Sequence, residues 1–182
     1  MLNALMPAAL VLLSPAVAEE YQADVAHSTV SFVVESALID AQGTFKQWTA
    51  VARVEGGDLS TMQLEASIDI GGIDTGIQKR DDHLRSPDFF ETETYPKATF
   101  KSRSVKVESP ERLVVTGDLT IKGMTRSLSV PVAIKYADAT RYRLAGEITI
   151  NRNEFGVDYQ SNLNPISNDV AIKLDVNFMQ SK

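Results

Sequence analysis

A chain that lacks cysteine must do its chemistry with histidines, carboxylates and hydroxyls, and here these are thinly spread. The sequence holds 2 histidines, His27 and His83, and no Cys, which excludes thiolate nucleophiles, disulfides and cysteine-type zinc sites. No HxH or HxxxH spacing sets two imidazoles on one face of a strand or helix, so no metal ligand set is assigned. The densest titratable grouping is Asp81, Asp82, His83, Asp88, Glu91 and Glu93, with Arg80 and Arg85 among them. His83 beside Asp81 or Asp82 is the pairing that general acid–base work on an amphiphilic substrate would need. The favoured account is simpler, a solvated acidic loop with arginine counter-charges. His27 and Ser28 are adjacent, so on a strand their side chains leave on opposite faces, and no G-x-S-x-G elbow supports a hydrolase triad. Gly56-Gly57 and Gly71-Gly72 sit in neither phosphate-loop frame and read as turns. No catalytic residue, metal or cofactor is assigned.

Residues so sparse in chemistry direct attention to the frame that holds them. The 182 residues, 43% hydrophobic and 23% charged, suit one packed domain. A net charge of -6 without a basic stripe excludes nucleic acid as partner. The same acidity weakly opposes anionic membrane surfaces, so lipid contact is expected with an extracted molecule rather than a bilayer. Residues 4–13 form an apolar run and Ala16-Val17-Ala18 places small residues where a signal peptidase reads them. This predicts a signal peptide over residues 1–18, cleavage after Ala18, a periplasmic location and a mature domain over 19–182. The run is too short for a spanning helix, which needs about 20 apolar residues.

Beyond the leader the dominant period is two, the mark of half-buried strands. Eight are predicted, over residues 30–34, 45–54 after a turn at Gly43, 64–70, 97–107, 113–121 with Gly117 as a bulge, 128–136, 144–151 and 170–178. The last alternates Val170, Ile172, Leu174, Val176 and Phe178 with Ala171, Lys173, Asp175 and Asn177. Lys122-Gly123 reads as a tight turn. A short helical segment is expected near residues 76–90: two turns over 78–85, then a restart capped by Ser86 with Pro87 in the first position. Strands at this spacing with almost no helix give an all-β fold, an antiparallel barrel or sandwich. An eight-stranded barrel is wide enough to be filled by side chains or to hold one ligand.

Several motifs carry a resemblance: Ile73-Asp74-Thr75-Gly76, Lys79-Arg80-Asp81-Asp82-His83-Leu84-Arg85-Ser86, Asp88-Phe89-Phe90, Tyr95-Pro96 and Thr99-Phe100. His27-Ser28 with Phe32, Gly43-Thr44-Phe45, Gly117-Asp118-Leu119-Thr120-Ile121 with Gly123 and Thr125, and Arg152 with Phe155-Gly156 extend it over the mature chain. In these the sequence resembles the YceI-like polyisoprenoid-binding family. The resemblance implies an eight-stranded lipocalin-like β-barrel, usually periplasmic and often a homodimer, whose apolar tunnel stores or transports an isoprenoid quinone or polyprenyl chain. One departure bears on head-group recognition: relatives often have a His shortly after the FxV strand, where this chain has Glu35-Ser36.

A tunnel needs inward apolar side chains that stop short of filling the barrel. The residues expected to bind ligand are Val30, Phe32, Val34, Phe45, Leu64, Ile68, Phe100, Leu119, Val130, Ile148 and Phe155. Leu84, Phe89 and Phe90 are expected to join them from a lid over residues 80–90, pinned through ion pairs of Arg80, Asp81 and Arg85. Two other readings stand beside the carrier. One is an enzyme using His83 with Asp81 or Asp82; the other is a filled structural barrel that contacts a membrane-protein partner. A filled and a hollow barrel demand the same alternation, and only the resemblance favours the hollow one.

Overall fold

The computed structural model describes residues 18–181; the predicted signal peptide and cleavage segment fall almost wholly outside them. The strands are β1 (Ala18–Ala23), β2 (Thr29–Ser36), β3 (Ala41–Phe45), β4 (Trp48–Glu55), β5 (Asp58–Asp69), β6 (Ile73–Asp74), β7 (Lys97–Ser109), β8 (Arg112–Ile121), β9 (Met124–Ala137), β10 (Arg141–Asn151) and β11 (Ile166–Gln180). The helix α1 (Gln78–Arg85) is the one α-helix among the described residues.

All the pairings are antiparallel, and the ring runs β1, β4, β5, β7, β8, β9, β10, β11 and back to β1. β2 continues the wall position of β1 along β11, from Thr29 opposite Asp175 to Ser36 opposite Ile166. β3 likewise precedes β4 in a single wall position, paired with β2. The result is the predicted closed barrel of eight antiparallel wall positions with one short helix. β1 itself was not foreseen, since AEEYQA carries no alternation that marks a strand. It becomes one by closing the sheet between β4 and β11.

Alternation decides which side chains enter. In β11, Val176 and Phe178 are buried while Lys173 and Met179 are exposed. Hairpins are tight where the backbone can take positive φ: Gly56 and Gly57 at 56° and 73°, then Lys122 and Gly123 at 48° and 74°, the geometry that matches strand twist.

Three local expectations are corrected. Gly43 is no turn; it lies inside β3 opposite Phe32, and a Cβ there would stand 2.7 Å from the Phe32 ring and 2.9 Å from the Asp74 carbonyl. The glycine admits an aromatic ring rather than bending the chain. Gly117 does the same for Phe100, whose ring tip would be 2.6 Å from an added Cβ. The bulge sits across from it on β7, where Arg103 is the extra residue between Ser102 and Ser104. Ser86-Pro87 does not restart the helix. The Ser86 hydroxyl accepts from the Asp88 amide at 3.3 Å, but a run of turns follows in which Phe90 N–H donates to the Leu84 carbonyl. A restart would turn Phe89 and Phe90 away from a barrel that can bury them.

Because neighbouring strands alternate in direction, the connections β4–β5, β7–β8 and β9–β10 share one end, and β2–β3, β5–β7, β8–β9 and β10–β11 the other. The first end is packed solid. Ala52, Val54 and Leu113 are fully buried there, with Met62 and Tyr142 beside them. Tyr21 and Tyr142 meet edge to face at 4.7 Å, and the Tyr21 hydroxyl donates to the Ala139 carbonyl at 3.1 Å. The second end is hollow.

Candidate functional site: an apolar cavity in the open half of the barrel

The hollow end encloses a cavity of about 480 Å³, within the range of small-molecule sites. Every residue assigned inward from the sequence lines it. β2 contributes Val30, Phe32 and Val34; β3 ends in Phe45; β5 gives Leu64 and Ile68. Phe100, Leu119, Val130 and Ile148 come from β7, β8, β9 and β10 in turn. Leu84 reaches in from α1, Phe89 and Phe90 from the turns after it, and Phe155 from the short 3-10 turn Arg152–Phe155. Phe32 and Phe45 rest on each other with ring centroids 5.5 Å apart. Phe89 and Phe155 are 7% and 2% exposed, so they close the wall, whereas Leu64, Ile68, Phe100 and Ile148 are only partly buried because one side faces the void.

Two segments cover the open end. The first, residues 75–96, is anchored at its start by Asp81, which accepts from the Thr75 amide at 2.9 Å and from the Thr75 hydroxyl. Arg80 donates to the Thr75 hydroxyl at 2.9 Å and carbonyl at 3.0 Å, and Arg85 to the carbonyls of Gly71 and Ile73 at 2.9 and 3.0 Å. The expected pinning of this lid by ion pairs is therefore corrected. Backbone carbonyls and Thr75 take most of these donors, and the one ion pair in the set joins Arg85 to Asp82 at 3.0 Å. Carbonyls left by the bend between β5 and α1 need donors, and arginine's fork supplies several at once.

The second segment, residues 152–165, hangs on Arg152. This side chain is 5% exposed and donates to the carbonyls of Val157 at 2.6 Å, Tyr159 at 2.9 Å and Ser167 at 2.9 Å. No carboxylate hydrogen-bonds to it among the described residues; burial pulls its pKa down, with Asp158 acting in the opposite sense. Lys122 ties the two covers together, donating to the Gly156 carbonyl at 3.2 Å and lying 3.9 Å from Glu91.

His83 lies at the cavity edge, its ring set edge-on to both Phe89 and Tyr159 at 5.0 Å. Its Nε2 meets Asp88 Oδ2 at 2.9 Å. Asp81 is committed to Thr75, and Asp82 to Gln78 and Arg85. The pairing of His83 with Asp81 or Asp82, on which the enzyme alternative stood, is thus not formed; the partner is Asp88, on the half-exposed outer side. Among the described residues, no three His, Asp or Glu side chains gather where an ion could be held.

The cavity also uses residues outside the inward assignment. Leu144, Val176 and Phe178 line its inner end and carried the strand alternation, so that signal was present. Trp48 opens β4 and lay within a predicted strand. Tyr159 and Asn164 stand in a segment without periodicity, and nothing short of the fold brings them to the mouth. Ser36, of the Glu35-Ser36 pair, is at that mouth too, accepting from Asn164 Nδ2 at 3.0 Å.

Comparison with known proteins agrees with this architecture. The profile of the YceI-like domain matches residues 21–178. A UPF0312 protein of Staphylococcus aureus strain N315 is 32% identical over 165 residues, 87% of this chain and 92% of that one. The crystal structure of BcnA from Burkholderia cenocepacia superposes with a TM-score of 0.78 at 27% identity, covering 85% of this chain and 98% of that chain. A polyisoprenoid binding domain from Saccharophagus degradans, implicated in plant cell wall breakdown, shares the fold at TM-score 0.70 and 19% identity, over 88% and 98% of the two chains.

Proposed function

Because this chain belongs to the YceI-like domain family, we propose that it binds, stores or carries a long apolar lipid of the isoprenoid type, a quinone tail or polyprenyl chain, without chemistry on it. One observation carries this reading: the cavity is walled almost wholly by aliphatic and aromatic side chains, with most of its polar residues drawn from the segments at the open end and the carboxylate of Glu65, in mid-β5, taken up by Lys101 and Arg53. Apolar chain withdrawn from water gains about 25 cal/mol per Å², so a long prenyl chain is retained without a specific polar contact. The structural neighbour described as a polyisoprenoid binding domain has the same fold, and the wall chemistry here suits the same class of cargo. His83, Tyr159 and Ser36 offer hydrogen-bonding groups to whatever head the chain bears. No cofactor is needed for such a role. Cleavage after Ala18 would deliver the carrier to the periplasm, and a homodimer is the expected assembly.

The test is mass spectrometry of protein purified from its native envelope, both intact under native conditions and after organic extraction. A bound species of isoprenoid mass at near one per chain is expected, and the same spectrum reads the oligomeric state. A clean apoprotein that also takes up no added quinone refutes the reading.

A further inference from the structure

A cavity filled with insoluble cargo has to be loaded from somewhere, and the rim of this barrel is unevenly dressed. Leu38 is 72% exposed, Ile39 74% and Leu163 89%, the most exposed large hydrophobic side chains among the described residues. They stand on two loops, residues 37–40 between β2 and β3 and residues 158–165 before β11, that are laced together. Ala37 N–H donates to the Pro165 carbonyl at 3.0 Å, Leu38 N–H to Asn164 Oδ1 at 2.9 Å, and Asn164 Nδ2 to Ser36 Oγ at 3.0 Å. Asp40, itself exposed, accepts from the Ser36 amide at 3.0 Å across its own loop.

Single exposed leucines are ordinary; three on one hydrogen-bonded ridge are not. Ile39 is exposed outside and also lines the cavity within, together with Ser36 and Asn164 below it. The ridge therefore continues the apolar wall out to the surface. We propose, resting on the lipid-carrier reading, that the ridge bearing Leu38, Ile39 and Leu163 docks the open end of the barrel onto a zwitterionic lipid bilayer, from which cargo passes into the cavity past Ile39.

Charge and side-chain type select this occupant. Residues 36–41 and 158–166 contain no Lys or Arg and do contain Asp40 and Asp158, so attraction to anionic head groups is absent and insertion of aliphatic side chains is the remaining force. The two loops carry no Arg, and their one aromatic, Tyr159, packs against His83 and Phe89 and is not presented at the tips. The general acidity of the chain directs it away from anionic surfaces, whereas docking on a neutral bilayer departs from the expectation that lipid is met only as an extracted molecule.

The experiment follows transfer of a dansyl-labelled prenyl alcohol from phosphatidylcholine vesicles to the full chain. The variants are Leu38→Ser with Leu163→Ser, neither of which lines the cavity, and separately Leu163→Trp with lipids brominated in the acyl chain. The double variant is expected to bind the probe in solution as the parent does and to accept it from vesicles at least about tenfold more slowly. Leu163→Trp is expected to be quenched by the brominated lipid beyond any quenching of the parent chain, whose Trp48 lines the cavity and serves as the control. Unchanged transfer in the double variant, absent quenching, or binding confined to anionic vesicles overturns the docking. So does concentration-dependent self-association that the double variant abolishes, which would assign the ridge to a second copy. If the parent chain fails to bind the probe even in solution, the carrier reading falls, and docking is then decided by the quenching alone.

Discussion

Replacing Leu113 and Ile148 by Ala in separate variants asks whether the two halves of the barrel differ as the structure has it. Each change deletes the same mass of hydrocarbon, three carbons worth about 2.4 kcal/mol if fully withdrawn from water. Leu113 is fully buried in the packed half, so its loss adds a cavity penalty to the transfer loss, for about 3 kcal/mol in total. Ile148 lines the void and has already forfeited part of its contacts, so its loss in delipidated protein is expected near 1 kcal/mol. At about 2–4 °C per kcal/mol for a chain of this size, thermal midpoints fall by about 6–12 °C for Leu113→Ala and about 2–4 °C for Ile148→Ala. Ile is the stronger strand former of the two, so that term adds to the cost at Ile148 and narrows the expected difference, which makes the comparison stricter. Lipid-loaded protein is the second arm: cargo in contact with Ile148 gives that side chain new neighbours, so its truncation then costs more, while Leu113→Ala is unaffected. Urea unfolding of both variants with and without bound lipid checks the four numbers. Equal costs for the two sites in delipidated protein would refute the hollow half.

Phe100→Lys puts an ammonium group against an apolar wall with no partner, a cost of at least about 2 kcal/mol; native mass spectrometry should show occupancy lost, and full occupancy would place Phe100 off the cavity. Arg152→Met leaves the Val157, Tyr159 and Ser167 carbonyls without their donor, at about 1–3 kcal/mol for each left dry. Amide exchange over residues 157–168 should accelerate, and unchanged exchange would show that the segment does not hang on this side chain. Acid titration has a definite sign. Arg143, bonded to Asp175 at 2.9 and 2.8 Å, holds that carboxyl below its ordinary range, and Tyr136 with Thr140 does so for Asp138. Folded values lowered in this way add stability above the unfolded value of about 4 and lose it as pH falls further. The thermal midpoint should hold from about pH 8 to 5 and drop below about pH 4, with a shallower drop in Asp175→Asn; an identical acid limb in that variant would remove Asp175 from the account.

Much of this molecule was legible because its information is periodic. Val170 to Phe178 alternate so strictly that side, burial and membership of the wall follow from the residue types alone, and the same holds for Leu64 and Ile68 or Val130. Turn chemistry at Gly56-Gly57 and Lys122-Gly123 was local as well, and local rules sufficed. The motif residues named the family and through it a hollow barrel, which the alternation could not separate from a filled one.

What the sequence by itself determined, then, is the side of the sheet each strand residue faces and the number of wall positions, since both depend on a period of two and on turns that act within a few residues. Tertiary structure decided the rest. β1 is a strand only because β4 and β11 leave it a place. Gly43 and Gly117 matter for rings that come from neighbouring strands, so neither could be told from a turn or bulge by its own surroundings. Arg152, Tyr159 and Asn164 reach the cavity mouth through hydrogen bonds whose partners are set by the closed barrel. The division into a packed end and an empty one depends on volumes summed across all the walls, and no single strand carries that sum.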